Sequence, residues 1–308
     1  MRVFVTGASG FIGGVLCAQL IGRGHEVDAL VRRPGSEPRG TRAIAGDLGD
    51  DLRLHEALAE SMPDCVIHLA AEIASQRSRA KLDAVNVKGT ESLISATLIA
   101  SGPNPIPEGR PRFVFASTVV TGDAHGELLS EETPLPVRTP YGRSKQLGER
   151  LVLESGLPAV VVRPSHVYGP GGWYVSELIA GLRRPGRLAV IGDGANLWDV
   201  VHVHDVAAAL VLAAEDAPAG SVYHVADDRP ITFYDVMALT ARELGLGAPR
   251  RVPAALARLI AGKNAVDAAV RSARSSNAKI KRELGWKPRF PTAEEGVAAA
   301  VRELDPSG

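Results

Sequence analysis

The stretch Val3-Phe4-Val5-Thr6-Gly7-Ala8-Ser9-Gly10-Phe11-Ile12-Gly13 narrows the folds open to this chain more than any other. It sets three glycines, at 7, 10 and 13, between a short β-branched strand and an apolar helix running through Val15-Leu16-Cys17-Ala18-Gln19-Leu20-Ile21. Each glycine has a separate physical task. Gly7 permits a tight turn, Gly10 lets backbone approach a ligand closely, and Gly13 lets the helix press on the strand. A helix that starts there offers unpaired N–H groups and the positive end of its dipole. Such a place suits a diphosphate, and Ser9, Phe11 and Ile12 belong to the same cradle.

Strand and helix patterns then alternate for most of the chain. Strands are expected at Arg2–Thr6, Glu26–Val31, Ala43–Ala45, Cys65–Leu69, Arg112–Ser117 and Ala159–Arg163, with helices at Leu52–Ser61, Ala80–Ala100 and Tyr141–Ser155. Strands separated by helices of this length imply right-handed crossovers. The expected fold class is therefore α/β, a doubly wound, mostly parallel sheet of Rossmann type. The proline-rich segment from Ser101 to Pro111 reads as an exposed excursion before the fifth strand. Beyond Gly169 the pattern is less regular. Val222–Val225 reads as one more strand, Asp205 as the cap of an alanine-rich helix, Asn277 as an N-cap, and Gly285 with Pro288 as a helix stop. A dinucleotide-binding domain over 1–170, which also receives segments from about 200–226, and an interleaved substrate lobe over 171–308 follow from this.

Lys+Arg and Asp+Glu both number 35, so no basic excess marks a nucleic-acid partner. Apolar residues make up 45% but aromatics only 5%, which points to an aliphatic core. Cys17 and Cys65 fall in a helix and a strand and read as buried thiols of a reducing compartment. The strand pattern begins at Arg2, so no secretory leader is expected, and the apolar run Val206 to Ala214 is too short to span a bilayer. The expected location is the cytoplasm, with no membrane partner.

Tyr141-Gly142-Arg143-Ser144-Lys145 places a phenol and an ammonium four residues apart, on one face of a helix. A free phenol has a pKa of about 10, and a neighbouring cation lowers it. Tyr141 can then exchange a proton with a substrate oxygen. Ser117 ends the fifth strand, at the carboxyl edge where parallel sheets place ligands. Its hydroxyl suits a carbonyl oxygen, and Thr118 is the neighbouring alternative.

These motifs, in this order, resemble the extended short-chain dehydrogenases/reductases, the epimerase/dehydratase-like group. The resemblance is carried by the glycine turn, Gly46-Asp47-Leu48, His68-Leu69-Ala70-Ala71, Asn86-Val87-Lys88-Gly89-Thr90, Ser117, Tyr141 with Lys145, and Arg163-Pro164-Ser165-His166-Val167-Tyr168-Gly169-Pro170. Gly192-Asp193-Gly194, Val203-His204-Asp205-Val206-Ala207 and Leu284-Gly285-Trp286-Lys287-Pro288 extend it to nearly the whole chain. It implies a catalytic triad of Ser117, Tyr141 and Lys145, with Lys145 also holding the nicotinamide ribose. It further implies that Asp47 and Leu48 flank the adenine, that Leu69, Ala70 and Ala71 line the cofactor, and that Pro164 to Val167 run beside the nicotinamide. Asn86 is implied as a helper, or as a structural residue of its helix. The helices around 80–100 and 141–155 imply a homodimer built on a four-helix bundle.

The second strand ends at Val31, where NAD-preferring members place a carboxylate for the ribose hydroxyls; Asp28 comes too early. Arg32 and Arg33 follow, and a guanidinium suits a 2′-phosphate, so NADP(H) is expected over the alternative NAD(H). Nucleotide-sugar members resemble one another in an asparagine where this chain has His166, and 4,6-dehydratases carry an acid pair where it has Val119 and Val120. The pattern Arg163 to Gly171 looks closer to ketone-reducing members. Trp173, Tyr174 and Trp198 read either as a flat apolar wall for a substrate or as lobe core. The substrate contacts expected are thus Thr118, His166, Trp173 and Trp198. Three functions stand beside one another: an NADP(H)-dependent carbonyl reductase (or the reverse alcohol dehydrogenase), a nucleotide-sugar epimerase with retained NAD, and a non-catalytic dinucleotide sensor. His202, His204 and Asp205 read as a polar strand leading into a helix, and no metal is expected. His68 reads as packing beside the cofactor loop. Arg271, Arg274, Lys279, Lys281 and Arg282 read as a solvated helix face, with Arg274 as a lesser candidate for a phosphate.

Overall fold

Short runs of Val, Ile, Phe and Ala are too apolar on both sides for an exposed sheet, and each becomes a strand covered on two faces. The computed structural model describes residues 1–73, 75–76, 78–102, 109–184, 189–261 and 271–304. Its main sheet has seven strands: β1 (Arg2–Thr6), β2 (Glu26–Val31), β3 (Arg42–Ala45), β4 (Cys65–His68), β5 (Arg112–Ala116), β6 (Ala159–Pro164) and β7 (Val222–Val225). All neighbours pair in parallel, in the order β7-β6-β5-β4-β1-β2-β3. The chain winds outward from β1 to β3 and then returns to β4 on the other side of β1. The carboxyl ends of β1 and β4 therefore face a crevice, the usual ligand position in such sheets.

Helices cover both faces. Along β1 the side chains alternate. Val3 and Val5 pack with α1 (Phe11–Gly22) and the alanine-rich Val203–Glu215 helix, while Phe4 packs with α2 (Asp51–Ser61) and Gly89–Ala100. Fully burying one such side chain stabilises by about 1.5–3 kcal/mol, so register is firmly fixed. Cys17 and Cys65 are buried free thiols, and burial pushes both up to about 12.

A third core joins Tyr174, Leu178, Val190, Val200, Ile231, Met237 and Val297 beyond the sheet edge. It is framed by short strand pairs, among them His166–Tyr168 with Val200–His202 and Leu197–Trp198 with Ile231–Thr232. Tyr174 belongs to this core, with its hydroxyl 2.9 Å from Thr240 Oγ1.

Two expectations need correction, those for the helix over 80–100 and for Asp205. The helix foreseen over 80–100 is not continuous: Arg79–Leu82 is α-helical, Asp83–Lys88 forms a π turn, and Gly89–Ala100 resumes the α geometry. The wider turn carries Asn86 inward. Its Oδ1 accepts from Glu72 N at 2.7 Å, and its Nδ2 donates to Glu72 O and Ser144 Oγ, both at 3.0 Å. Asp205 does not cap its helix. His202 holds the N-cap position, and the Asp205 carboxylate accepts from the backbone of Arg289 and Phe290. Asn277 stands at an N-cap without a capping bond, because its amide donates to Ala226 O and Asp228 instead. The proline-rich excursion has its centre, 103–108, outside the described residues. Among the described residues no group of three metal-ligating side chains occurs, and no helix is long and apolar enough to cross a membrane.

Candidate active site

The glycine turn folds as its spacing dictates. Gly7 has φ +72°, and a Cβ there would lie 2.7 Å from Ala70 N, so the turn after β1 abuts the loop after β4. A Cβ on Gly13 would lie 2.2 Å from Gly7 O. Gly10 is the N-cap of α1 and has no side chain to bond the helix start, and the first turn holds no acid. The N–H groups of the first turn are thus left for a ligand. They border a cavity of about 970 Å³. Gly7, Ser9, Gly10, Phe11, Ile12 and Gly13 all line it, as do Arg32, Asp47, Leu48, Leu69, Ala70, Ala71 and Val167. Arg33 is exposed and Pro164 is buried in β6; neither lines the cavity.

Beneath the turn, Thr6 Oγ1 lies 2.6 Å from His68 Nδ1 and accepts from Ala70 N at 3.2 Å. Thr90 Oγ1 donates to Asn86 O and lies 2.9 Å from His68 Nε2. Thr90 has spent its proton, so Nε2 carries the imidazole hydrogen and Nδ1 accepts from Thr6. Burial, and secondarily the charge of Lys145, pull His68 down to about 3. This histidine is a neutral strut that ties β1 to β4.

At the end of β5 the side chains alternate. Ala116, Thr118 and Val120 line the cavity, whereas Ser117 does not, and its Oγ is buried without a partner. Thr118 Oγ1 accepts from Val120 N at 2.9 Å and donates to Pro164 O at 3.2 Å. The helix Pro140–Leu153 is held close by two glycines. A Cβ on Gly142 would meet Thr121 Cα at 2.9 Å, and one on Gly148 would meet the Phe115 ring at 2.7 Å. Thr139 caps it, accepting from Gly142 N at 2.9 Å, with Pro140 as the first helical residue. Tyr141, in that first turn, lines the cavity.

The electrostatics depart from expectation. Burial raises Tyr141 to about 12, and no charge from Lys145 opposes it. Lys145 is itself pulled down to about 7 by burial, which the carboxylate of Glu149 only partly offsets. Its ammonium sits 4.2 Å from the centroid of Phe115. Desolvation outweighs pairing at both groups, so the phenol stays protonated through neutral pH.

At the end of β2, Leu30, Val31 and Arg32 line the cavity. Asp28 is bound to Arg42 at 2.6 and 2.7 Å and to Ser61 at 2.6 Å, and is committed there. Asp47 accepts from Gly49 N at 2.9 Å, which shapes the loop after β3.

The far end of the cavity is built by side chains. His166, Trp173 and Trp198 line it together with Thr118. The imidazole of His166 stacks on the indole of Trp198 at 4.2 Å and 7°, and Trp173 meets Trp198 edge to face at 5.8 Å. Trp173 Nε1 donates to Val167 O at 2.7 Å. Sequence reasoning missed Glu72, Glu177 and Arg271, which also line the cavity. Arg271 is not on a solvated helix face. It reaches His166 Nε2 across 105 residues of chain, while Arg274 bonds Gly126 O at 2.8 Å. Nothing in the local pattern separates Arg271 from Arg274; only the tertiary path does.

Comparison with known proteins adds the following. The sequence profile of the NAD dependent epimerase/dehydratase family matches residues 3–226. The chain is 32% identical to a 3-diazoavenalumate denitrifying reductase of a Streptomyces species, over 96% of this chain and 99% of that one. It is 31% identical to a 4-hydroxy-2-methyl-3-oxo-4-farnesyl-3,4-dihydroquinoline-1-oxide ketoreductase of Stigmatella aurantiaca, over 100% and 98% of the two chains. Among solved structures it resembles the UDP-glucose 4-epimerase of Thermus thermophilus in complex with NAD, with a TM-score of 0.81, 27% identity and 100% of each chain covered.

Proposed function

The chain belongs to the NAD dependent epimerase/dehydratase family, within the extended short-chain dehydrogenases/reductases, and from that premise we propose that this enzyme is an NADP(H)-dependent carbonyl reductase. One observation carries the reading: a single cavity is bordered by the glycine turn at one end, by Tyr141 and Thr118 in the middle, and by an aromatic corner at the other end.

The residues fit a nicotinamide dinucleotide. The glycines let the turn take the shape that aims the helix start at a pyrophosphate, since a Cβ at Gly7 or Gly13 would strike neighbouring backbone and displace the turn. The first-turn N–H groups of α1 would hold the phosphates. Asp47 and Leu48 would flank the adenine, and Lys145 would meet the nicotinamide ribose. Support for NADP(H) over NAD(H) comes from the end of β2. Arg32 lines the cavity there, and the nearest acid on the strand, Asp28, is engaged by Arg42. When bound, the reduced dinucleotide supplies a hydride to the carbonyl carbon.

The chain supplies the rest. Thr118, whose hydroxyl donates to Pro164 O in the free protein, would turn that proton to the carbonyl oxygen when the substrate binds and polarise it. Tyr141 donates its phenolic proton to the same oxygen, so carbonyl, hydride and proton give the alcohol. Holding the phenol protonated at neutral pH suits this direction. Ser117, the residue foreseen for this task, is not among the cavity's lining and its Oγ is buried without a partner, which supports assigning the hydroxyl role to Thr118. His166, Trp173 and Trp198 hold the substrate.

Two lobes divide the work: 1–170 with segments from about 200–226 for the dinucleotide, and the rest of 171–308 for the substrate. Exposed Ile99, Leu147 and Leu153, on the two long helices, suit a homodimer. Two buried unpaired thiols suit the cytoplasm. A nucleotide-sugar epimerase is the second reading, supported by the likeness to the NAD-bound UDP-glucose 4-epimerase. The experiment is stoichiometric. Offered NADPH and a panel of aryl ketones, a reductase oxidises one dinucleotide per alcohol formed. Interconversion of UDP-glucose and UDP-galactose with no net change in the dinucleotide would establish the epimerase instead.

A further inference from the structure

The substrate end of the cavity holds one guanidinium that forms no ion pair with any described carboxylate. Arg271 lines the cavity, and among the described residues no carboxylate lies within ion-pair distance of it. Asp123 acts on it only from farther off, while the Asp123 carboxylate itself accepts from the backbone of His125 and Ser272, both at 2.9 Å. What Arg271 touches is neutral. His166 Nδ1 lies 2.9 Å from the carbonyl oxygen of Asp199, an acceptor only, so Nδ1 carries the hydrogen. Nε2 then accepts from Arg271 Nη2. The imidazole is locked as an uncharged acceptor, and its stack on Trp198 fixes its plane. One arm of the guanidinium is held by the imidazole, and Arg271 lines the cavity. A partly desolvated cation without a counter-ion is costly, and a bound anion removes that cost.

Resting on the reductase reading, we propose that Arg271, anchored by the His166–Trp198 stack, takes the carboxylate of a flat, apolar monocarboxylic acid as the substrate. The planar fork of a guanidinium matches a carboxylate with two parallel hydrogen bonds. Trp173 and Trp198 meet edge to face and offer an apolar corner for a flat body. A single negative charge fits better than a diphosphate. Arg271 and Arg32 are the only guanidinium groups lining the cavity among the described residues, and Arg32 belongs to the dinucleotide end. The lining carboxylates of Glu72 and Glu177 oppose any further negative charge. Arg271 thus sets specificity and does not touch the reacting atoms.

Calorimetric titration of the full chain, saturated with oxidised dinucleotide, with trans-cinnamate, cinnamamide and UDP tests this without any turnover. The wild type is expected to bind cinnamate about 10- to 100-fold more tightly than cinnamamide, the range of a charge-assisted hydrogen bond. Arg271→Gln should abolish that preference and leave cinnamamide binding unchanged. Arg271→Lys, which keeps the charge but not the fork, should retain only part of it. Equal binding of the acid and the amide by the wild type, no binding of either at millimolar concentration, or a preference that survives in Arg271→Gln would overturn the proposal. So would UDP binding tighter than cinnamate and lost in Arg271→Gln, which assigns the arginine to a diphosphate. Failure here leaves dinucleotide oxidation by ketones untouched, and failure of that oxidation leaves this titration readable.

Discussion

The two ends of the cavity are made by different means. The end proposed for the dinucleotide is made of backbone: a turn at φ +72°, a helix start with free N–H groups, and glycines whose missing Cβ atoms let neighbouring backbone close in. The substrate end is made of side chains from Thr118, His166, Trp173, Trp198 and Arg271, set beside one another by tertiary packing. Backbone recognition tolerates no added atom but requires no particular side chain. Side-chain recognition can change its ligand by one substitution while the fold stands. A family that keeps one cofactor site and varies its substrates needs this division.

The largest expected effect breaks the first end alone. Gly13→Val puts atoms where Gly7 O already stands, at 2.2 Å from the new Cβ. Dinucleotide affinity should fall by at least about 100-fold, as backbone hydrogen bonds to the phosphates are lost. Gly14→Ala, with open space at its Cβ, should bind within about twofold of the wild type. Equal losses in both variants, read by fluorescence titration, would contradict a backbone-built site.

Next comes the middle of the cavity. Thr118→Ala should lower kcat by about 100-fold, the effect of removing one donor to a developing oxyanion. Ser117→Ala should leave kcat within about threefold, since that hydroxyl has no partner and Ser117 does not line the cavity. The reverse ranking would return the role to Ser117.

A smaller effect separates the two cofactors. Arg32→Ser should weaken NADPH by about 10-fold and leave NADH unchanged, as a charge-assisted hydrogen bond to the 2′-phosphate is removed. Tighter binding of NADH than NADPH by the wild type would refute the preference.

The smallest effect is in protons. Lys145 titrates near 7 in the free protein because burial disfavours its charge. Contact with a bound dinucleotide favours the ammonium and raises that value. At pH 8 the free lysine is mostly neutral, so binding should take up close to one proton, and at pH 6 close to none. Calorimetry in buffers of different ionisation heat reads this directly, and Lys145→Met should show no uptake at either pH. Equal uptake in the variant would place the proton elsewhere.

The difference between the two ends also sets what the sequence discloses. A backbone-built site is local: Gly7, Gly10 and Gly13 stand within seven residues, and each keeps its reason in the folded chain. All seven sheet strands, and their parallel pairing, follow from apolar runs alternating with helices. The π turn at Asp83–Lys88 was not legible, since helical periodicity cannot see one added residue that a buried asparagine rewards through Glu72 and Ser144. Ser117 and Thr118 were adjacent candidates, and the sequence carries no signal that ranks them. Arg271 was illegible because its partner lies 105 residues away. The acidity of Tyr141 was misjudged for a related reason: spacing on a helix shows a neighbouring cation but not the depth of burial, and burial dominates.

The central claim is that the phenol of Tyr141, in the cavity shared by both ends, gives the proton. Tyr141→Phe removes one oxygen and nothing else. Turnover of the best ketone substrate should fall by about 10²- to 10⁴-fold, the contribution of a positioned acid, while dinucleotide affinity stays within about threefold. Turnover retained within about threefold of the wild type, at unchanged affinity, would contradict it.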